Sequence, residues 1–281
     1  MQYSECYVNS IDGTQLFFRC WQPQQGPVKA VINFVHGFGE HSGRYAHWGA
    51  NFVQHGIAMT AIDYRGHGKA GGKRGHTESM KRLMDDVQTL VDRTKTLFPD
   101  VPHFLYGHSM GGNMVLNYHL RRERNFFKGI ISSSPWLKLA FDANIFQVIM
   151  AKALVAIFPR IVTKTNLVVE MISHDPAVQQ AYKNDPLVHG FISLKLYNVI
   201  TNGGLYVLKN YSKIQTPTLL QHGTADQITS YKASMFLGYK ARNIIHFHSW
   251  PGLYHELHNE FEKDDVFKYV HGWIKQQLQR P

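Results

Sequence analysis

Tyr106-Gly107-His108-Ser109-Met110-Gly111-Gly112 decides how the rest of the chain reads. It follows the apolar run Pro102 to Tyr106, which predicts a buried strand, and leads into a helical pattern from Asn113 to Arg124. A serine at G-x-S-x-G spacing between strand and helix marks a sharp turn that lifts a hydroxyl above the edge of a sheet. Such a turn strains the serine backbone, and a side chain at 107 or 111 would strike neighbouring backbone. The dipole of the following helix favours negative charge developing beside the hydroxyl. On composition alone this spacing arises by chance in roughly one chain of this length in ten. The strand-turn-helix setting is what makes Ser109 a candidate nucleophile.

A second glycine cluster lies upstream. Ala30 to Val35 predicts another buried strand and ends in His36-Gly37-Phe38-Gly39-Glu40-His41-Ser42-Gly43-Arg44-Tyr45, with three glycines in seven residues. That density means backbone must approach something closely. Where a serine turn sits on a neighbouring strand, the loop after this one supplies one backbone N–H for an oxyanion. The residue after the serine supplies the other. The expected donors are the amides of Phe38 and Met110.

Strands and helices alternate around these two loops. Ser4 to Val8 and Gln15 to Trp21 read as strands about an Asp12-Gly13 turn, and Ala58 to Tyr64 as the next strand. Thr77 opens a long amphipathic helix with Met80, Leu83, Met84, Val87, Leu90 and Val91 on its core face. Phe127 to Ser132, Thr216 to Gln221 and Asn243 to Trp250 complete the strands, and the last helix buries Val266, Val270, Trp273 and Ile274. The pattern predicts an α/β-hydrolase fold, with a mostly parallel eight-stranded sheet and helices on both faces. From Trp136 to about Tyr211 the alternation stops, and helical patterns are punctuated by His174-Asp175-Pro176, Asn184-Asp185-Pro186 and Asn202-Gly203-Gly204. Residues 136–212 therefore predict a helical cap inserted over the C-terminal strand ends, between core segments 1–135 and 213–281. Inside it, Ile145 to Phe158 reads either as packing on the core or as an apolar lip for an acyl chain or lipid.

Triads in this fold run Ser, Asp or Glu, then His along the chain. Asp226, in His222-Gly223-Thr224-Ala225-Asp226 just past a late strand, suits the acid. Asp175 and Asp185 fall in Asp-Pro turns inside the cap and read as turn residues. His246 and His248 lie within the last strand and point sideways, and His258 sits one helical turn beyond His255. His255, in the loop Pro251-Gly252-Leu253-Tyr254-His255, suits the base. A neutral imidazole takes the serine proton during attack, the carboxylate steadies the imidazolium, and the two amides hold the oxyanion. No cofactor or metal is required, and no H-E-x-x-H or Cys/His spacing organises the 17 histidines into a metal site.

With these residues in place, the chain resembles the monoacylglycerol lipase and lysophospholipase family of α/β-hydrolases. The resemblance rests on His36 to Tyr45, Asp63-Tyr64-Arg65-Gly66-His67-Gly68, Gly107 to Gly112, Asn184-Asp185-Pro186-Leu187-Val188 and Tyr254-His255-Glu256-Leu257-His258, and covers nearly the whole chain. It implies a serine hydrolase with a lipid ester substrate, the triad Ser109, Asp226 and His255, and the oxyanion donors Phe38 and Met110. It also implies a cap that admits a single-chain glycerolipid and whose exposed face meets membranes. The runner-up is a short-chain carboxylesterase or thioesterase; the non-enzyme alternative is a ligand-binding protein of the same fold, against which the intact triad speaks. Phe38 stands where relatives often carry a smaller residue, and its ring is expected to narrow the pocket.

Composition sets outer limits. The chain's 44% hydrophobic and 13% aromatic content are globular values. Met1 to Cys6 lacks a charged and apolar leader, and Ile145 to Phe158 is too short to span a bilayer and contains Gln147 and Lys152. A soluble, cytoplasmic protein is expected, peripheral to membranes where the cap touches them. The net charge of +10 is spread along the chain, with no basic stripe interleaved with aromatics. It reads as a solvated surface or attraction to anionic lipid, and not as a nucleic-acid module. A two-residue Asp-Gly turn would set Cys6 opposite Arg19 and Cys20 on the other face, so both read as free thiols. Oxidised and reduced samples are expected to melt at the same temperature in differential scanning fluorimetry; a large gap would mean a disulfide.

Overall fold

The computed structural model of the chain describes residues 1–122, 125–141, 161–165 and 167–280. The apolar run Ile145 to Phe158 lies outside the described residues. Among those described, the strands are Gln2–Asn9 (β1), Gln15–Gln22 (β2), Ala30–Val35 (β3), Ile57–Asp63 (β4), His103–His108 (β5), Gly129–Ser133 (β6), Val162–Lys164 (β7), Phe191–Ser193 (β8), Thr218–Gly223 (β9) and Ile245–Trp250 (β10). The helices are Ala46–Gln54 (α1), Met80–Leu97 (α2), Met110–Arg121 (α3), Pro176–Asn184 (α4), Leu194–Lys209 (α5), Tyr231–Lys240 (α6) and Lys263–Gln279 (α7). The large sheet has eight strands in the order β1-β2-β4-β3-β5-β6-β9-β10. Pairs β1–β2 and β2–β4 are antiparallel, and all other neighbours are parallel. The expected sheet is the observed one, with a separate antiparallel pair, β7–β8, inside the stretch read as helical.

One crossing in this order creates the site. The chain leaves β3 for β4 on one side, then returns to β5 on the other side of β3. Loops leaving the C-terminal ends of β3 and β5 therefore diverge, and a crevice opens between them, where open parallel sheets bind ligands. The first loop carries Phe38 and the second carries Ser109. Both strands are buried along their full length, which is why they read as continuous apolar runs. One face packs Val31, Val35 and Leu105 with Val87, Leu90, Met114 and Leu237 of α2, α3 and α6. The other packs Ile32, Phe34, Phe104 and Tyr106 with Trp48 and Phe52 of α1 and Val270, Trp273 and Ile274 of α7. Among the described residues no helix is long and apolar enough to cross a membrane.

Two sequence readings need correction. The first hairpin pairs Cys6 with Phe18 and Ser4 with Cys20. Its loop is one residue longer than a two-residue turn, Ile11-Asp12-Gly13, closed by the Ser10 N–H on the Thr14 carbonyl at 2.8 Å with Gly13 at φ 81°. The extra residue shifts the register by one, so both thiols share a sheet face; both are free. Asn202-Gly203-Gly204, read as a turn, lies inside α5. Those glycines serve close packing instead. A Cβ on Gly204 would meet the Leu137 carbonyl oxygen at 2.2 Å, and the Gly203 carbonyl accepts from Asn117 Nδ2 at 3.1 Å.

The turn around Ser109 shows the same economy of space. A Cβ on Gly107 would lie 2.2 Å from the Gly111 carbonyl oxygen, and one on Gly111 would lie 2.1 Å from that of Val35. Neither obstacle is a side-chain end that could swing away. Gly111→Ala is expected to lower unfolding stability by more than about 3 kcal/mol, read as the shift in urea midpoint.

Candidate active site

Ser109 sits at φ 55° and ψ −115°, a backbone conformation that costs an L-residue about 1–3 kcal/mol. Hydrogen bonds hold it on both sides. Its N–H donates to the Ser133 carbonyl at 2.9 Å, while its carbonyl accepts from the Asn113 N–H at 3.1 Å and the Trp136 N–H at 3.0 Å. The Oγ consequently points out of the turn, and His255 Nε2 lies 2.9 Å from it. His255 Nδ1 lies 2.7 Å from Asp226 Oδ2. The structure brings all three sequence-predicted side chains together, across separations of 29 and 146 residues.

Asp226 is held by more than the imidazole. Its Oδ1 accepts from the N–H groups of Ile228 at 2.7 Å and Thr229 at 3.0 Å. Its Oδ2 also accepts from the Thr229 hydroxyl at 2.9 Å and from His222 Nε2 at 3.0 Å. His222 can donate there because its Nδ1 faces the Ser234 hydroxyl at 2.8 Å. Burial pushes the carboxyl pKa up, but the charges and hydrogen bonds of His255 and His222 outweigh it and hold Asp226 well below the carboxylate range. Burial likewise pulls His255 down, but the Asp226 carboxylate, with Glu256 and Glu40 behind it, leaves the imidazole above its ordinary value. His222 and Thr229 escaped the sequence reading. The only trace was His222 standing four residues before the acid, on the strand that feeds it.

The rival residues have other partners. His246 Nε2 meets the Tyr269 hydroxyl at 2.7 Å, and His248 stacks on that ring at 3.8 Å between centroids. His258 lies in the short 3₁₀ turn Leu257–Asn259, not on a long helix, and stacks on Tyr45 at 4.6 Å. Asp175 caps α4 by accepting from the Ala177 N–H at 2.8 Å. Asp185 accepts from the Leu187 N–H but also meets His41 Nε2 at 2.8 Å, so it ties its turn to the loop after β3.

That loop and the histidine loop share one cation. Arg44 donates to Glu40 Oε2 at 2.5 Å and, through two nitrogens, to Glu256 Oε1 at 2.7 Å and Oε2 at 2.8 Å. Glu40 Oε1 accepts from the Gly37 N–H and the Tyr45 hydroxyl, both at 2.6 Å. Burial raises Glu256, and Arg44 overrides this to bring it down to about 2. Gly37 and Phe38 line a cavity of about 710 Å³ together with Ser109 and His255. Its remaining walls are mostly apolar, including Trp136, Leu139, Met171, Ile172 and Ile192. Met110 is the first residue of α3, directly behind the hydroxyl. Among the described residues, no group of three His, Cys, Asp or Glu side chains is arranged to hold a metal ion.

Fold and site together define a hydrolase of the α/β-hydrolase class. The family described as Hydrolase_4, serine aminopeptidase, S33, matches residues 26–262. The monoacylglycerol lipase of Mycolicibacterium smegmatis is 32% identical over 98% of this chain and 98% of its own length. An uncharacterized abhydrolase domain-containing protein of Dictyostelium discoideum is 35% identical over 95% of this chain, which spans only 28% of that longer relative. Among solved structures, a monoacylglycerol lipase of Paleococcus ferrophilus superposes with a TM-score of 0.81 at 30% identity, covering 99% of this chain and 100% of its own. The chain belongs to the Hydrolase_4 family, and its full-length relatives set it among the carboxylic-ester hydrolases.

The electrostatics of the imidazole can be read directly. By NMR titration, His255 is expected to titrate above its ordinary value of about 6.5. In Asp226→Asn the attraction is gone while burial stays, so the imidazole is expected to titrate below that value. An unmoved titration would mean that the carboxylate does not govern it.

Proposed function

We propose that this protein cleaves the ester bond of single-chain glycerolipids, monoacylglycerols or lysophospholipids, through an acyl-enzyme formed on Ser109. The observation that carries the reading is a mostly apolar cavity of about 710 Å³ with the Ser109 hydroxyl in its wall. A cavity so lined suits an acyl chain, and His255 in its wall lies beside the serine. His255 acts as general base toward Ser109 Oγ during attack on the ester carbonyl, then protonates the leaving glycerol oxygen. The carbonyl oxygen, negatively charged at that stage, is received by the Phe38 and Met110 amides. Asp226 keeps the imidazole in the tautomer with its proton on Nδ1 and stabilises the imidazolium. Water, deprotonated by the same imidazole, then releases the fatty acid.

Residues 136–212 act as the cap in this reading. Trp136, Leu139, Val168, Ile172, Tyr182 and Ile192 line the cavity from that stretch. Asn113 Nδ2 ties it to α3 through the Trp136 and Ile200 carbonyls, at 2.6 and 3.0 Å. Phe141 and Val168 line the cavity yet are 61% and 44% exposed, which suits a mouth that rests on a lipid surface. Phe38 lines the cavity with its ring edge-on to Trp136 and His189, and in this reading that ring takes up room in the pocket. Cleavage of peptides from their amino end needs a free carboxylate to receive the ammonium group. The two glutamates of the cavity wall, Glu40 and Glu256, are instead both bound to Arg44.

Ser109→Ala is expected to cut hydrolysis of a long-chain monoacylglycerol by about 10⁴-fold or more with an unchanged melting temperature. Assays on monoacylglycerol, lysophosphatidylcholine and a short nitrophenyl ester test the substrate class. Turnover of the short ester alone would make it a carboxylesterase, and turnover surviving in Ser109→Ala would overturn the mechanism.

A further inference from the structure

We infer that Tyr64 is a positioning residue for the oxyanion donor on Phe38, acting through the single peptide unit that joins Gly37 to Phe38. The inference rests on the proposed hydrolysis at Ser109 and adds a residue to it.

The Gly37 carbonyl oxygen accepts from the Tyr64 hydroxyl at 2.7 Å and faces His36 Nδ1 at 2.8 Å. A carbonyl can only accept, so the His36 proton sits on Nδ1, and its Nε2 is a buried atom with no hydrogen-bond partner. Burial pulls the His36 imidazole down to about 3 and pushes the Tyr64 phenol well above its usual range, so one ring stays neutral and the other stays a donor. In a trans peptide the C=O and the following N–H point in opposite directions. A carbonyl fixed toward Tyr64, behind the loop, thus turns the Phe38 N–H the other way, toward the cavity that Gly37 and Phe38 line. The loop is close enough for this to matter: a Cβ on Gly37 would lie 3.3 Å from that of Ser109.

Tyr64 suits the task because its ring is enclosed and its hydroxyl is engaged. It is fully buried at the end of β4, stacks on His36 at 4.2 Å with 13° between the rings, and also reaches the His36 carbonyl at 3.3 Å. The Gly37 N–H, on the preceding peptide, is held by Glu40 at 2.6 Å. Glu40 therefore sets where the loop runs. Tyr64 sets the rotation of the next peptide plane, the quantity that aims the donor.

Tyr64→Phe keeps the ring and removes the hydroxyl. Losing an oxyanion donor outright costs about 10²–10³-fold in kcat, so a donor loosened about its aim is expected to cost about tenfold, with KM nearly unchanged. A trifluoromethyl ketone, whose hemiketal oxyanion needs the same donor, is expected to bind about tenfold more weakly. A non-hydrolysable ether analogue of monoacylglycerol, which needs none, is expected to bind as before. An unchanged kcat, or parallel losses in melting temperature and in affinity for both ligands, would overturn the assignment. Should Tyr64→Phe fail to fold, Tyr64→Met, a flexible side chain that fills space but offers no donor to that carbonyl, is read by the same ratio of ketone to ether affinity, and an unchanged ratio overturns the assignment. Wild-type protein that hydrolyses no ester would sink the parent reading and this one with it; wild-type turnover with an unaffected variant would sink this one alone.

Discussion

A single strained residue organises the site. Ser109 occupies a left-handed backbone conformation, and its amide and carbonyl are both engaged by the chain around it: Ser133 on one side, Asn113 and Trp136 on the other. These bonds reach β6, α3 and Trp136, just past the end of β6. The conformation therefore survives only if the central sheet, the helix behind it and the start of the 136–212 stretch are all in place. The two glycines of the turn meet the same demand from the steric side, since backbone passes where their side chains would stand. Strain of this kind is compensated by its surroundings and holds the hydroxyl at one orientation.

The charge distribution follows from burial. Asp226 receives five hydrogen bonds, from two backbone amides, one hydroxyl and two histidines. A carboxylate so supplied stays ionised although it is buried, and it can then support a positive charge on His255. His222 and His255 meet the same oxygen yet stand differently. His222 is turned by Ser234 so that its remaining nitrogen is engaged, while the remaining nitrogen of His255 faces Ser109. One imidazole has both nitrogens engaged within the scaffold, and the other keeps one nitrogen against the serine hydroxyl.

Much of this was legible in the residues, for physical reasons that also mark where the reading stopped. Strands β3 and β5 announced themselves because burial on both faces leaves no polar alternation. Ser109, Asp226 and His255, which the fold brings into contact, could be singled out because each stands in a loop just past a strand. The hairpin register was missed because Asp12-Gly13 suits a two- or three-residue loop equally, and one residue moves Cys6 to the other face of the sheet. Asn202-Gly203-Gly204 misled because glycine marks a turn in sequence but serves equally where two chains press together, here α5 against Leu137. His222 and Thr229 were out of reach of periodicity, since their role depends on hydrogen-bond direction and not on burial.

The loop after β3 joins these observations. Its glycines allow backbone to lie against Ser109, yet backbone so free needs its direction imposed from outside. Glu40 does this for the Gly37 amide, and Arg44 then links Glu40 to Glu256, the neighbour of His255. The same guanidinium lies over the Tyr182 ring at 4.8 Å, in the helix α4 that follows the cavity wall. A buried arginine between two carboxylates is costly to desolvate, and hydrophobic residues of similar volume would often be no less stable. What they could not supply is a bidentate, directional link among three segments distant in sequence. The arrangement is thus better explained by the geometry it imposes between an amide, an imidazole and a cavity wall than by any stability it adds.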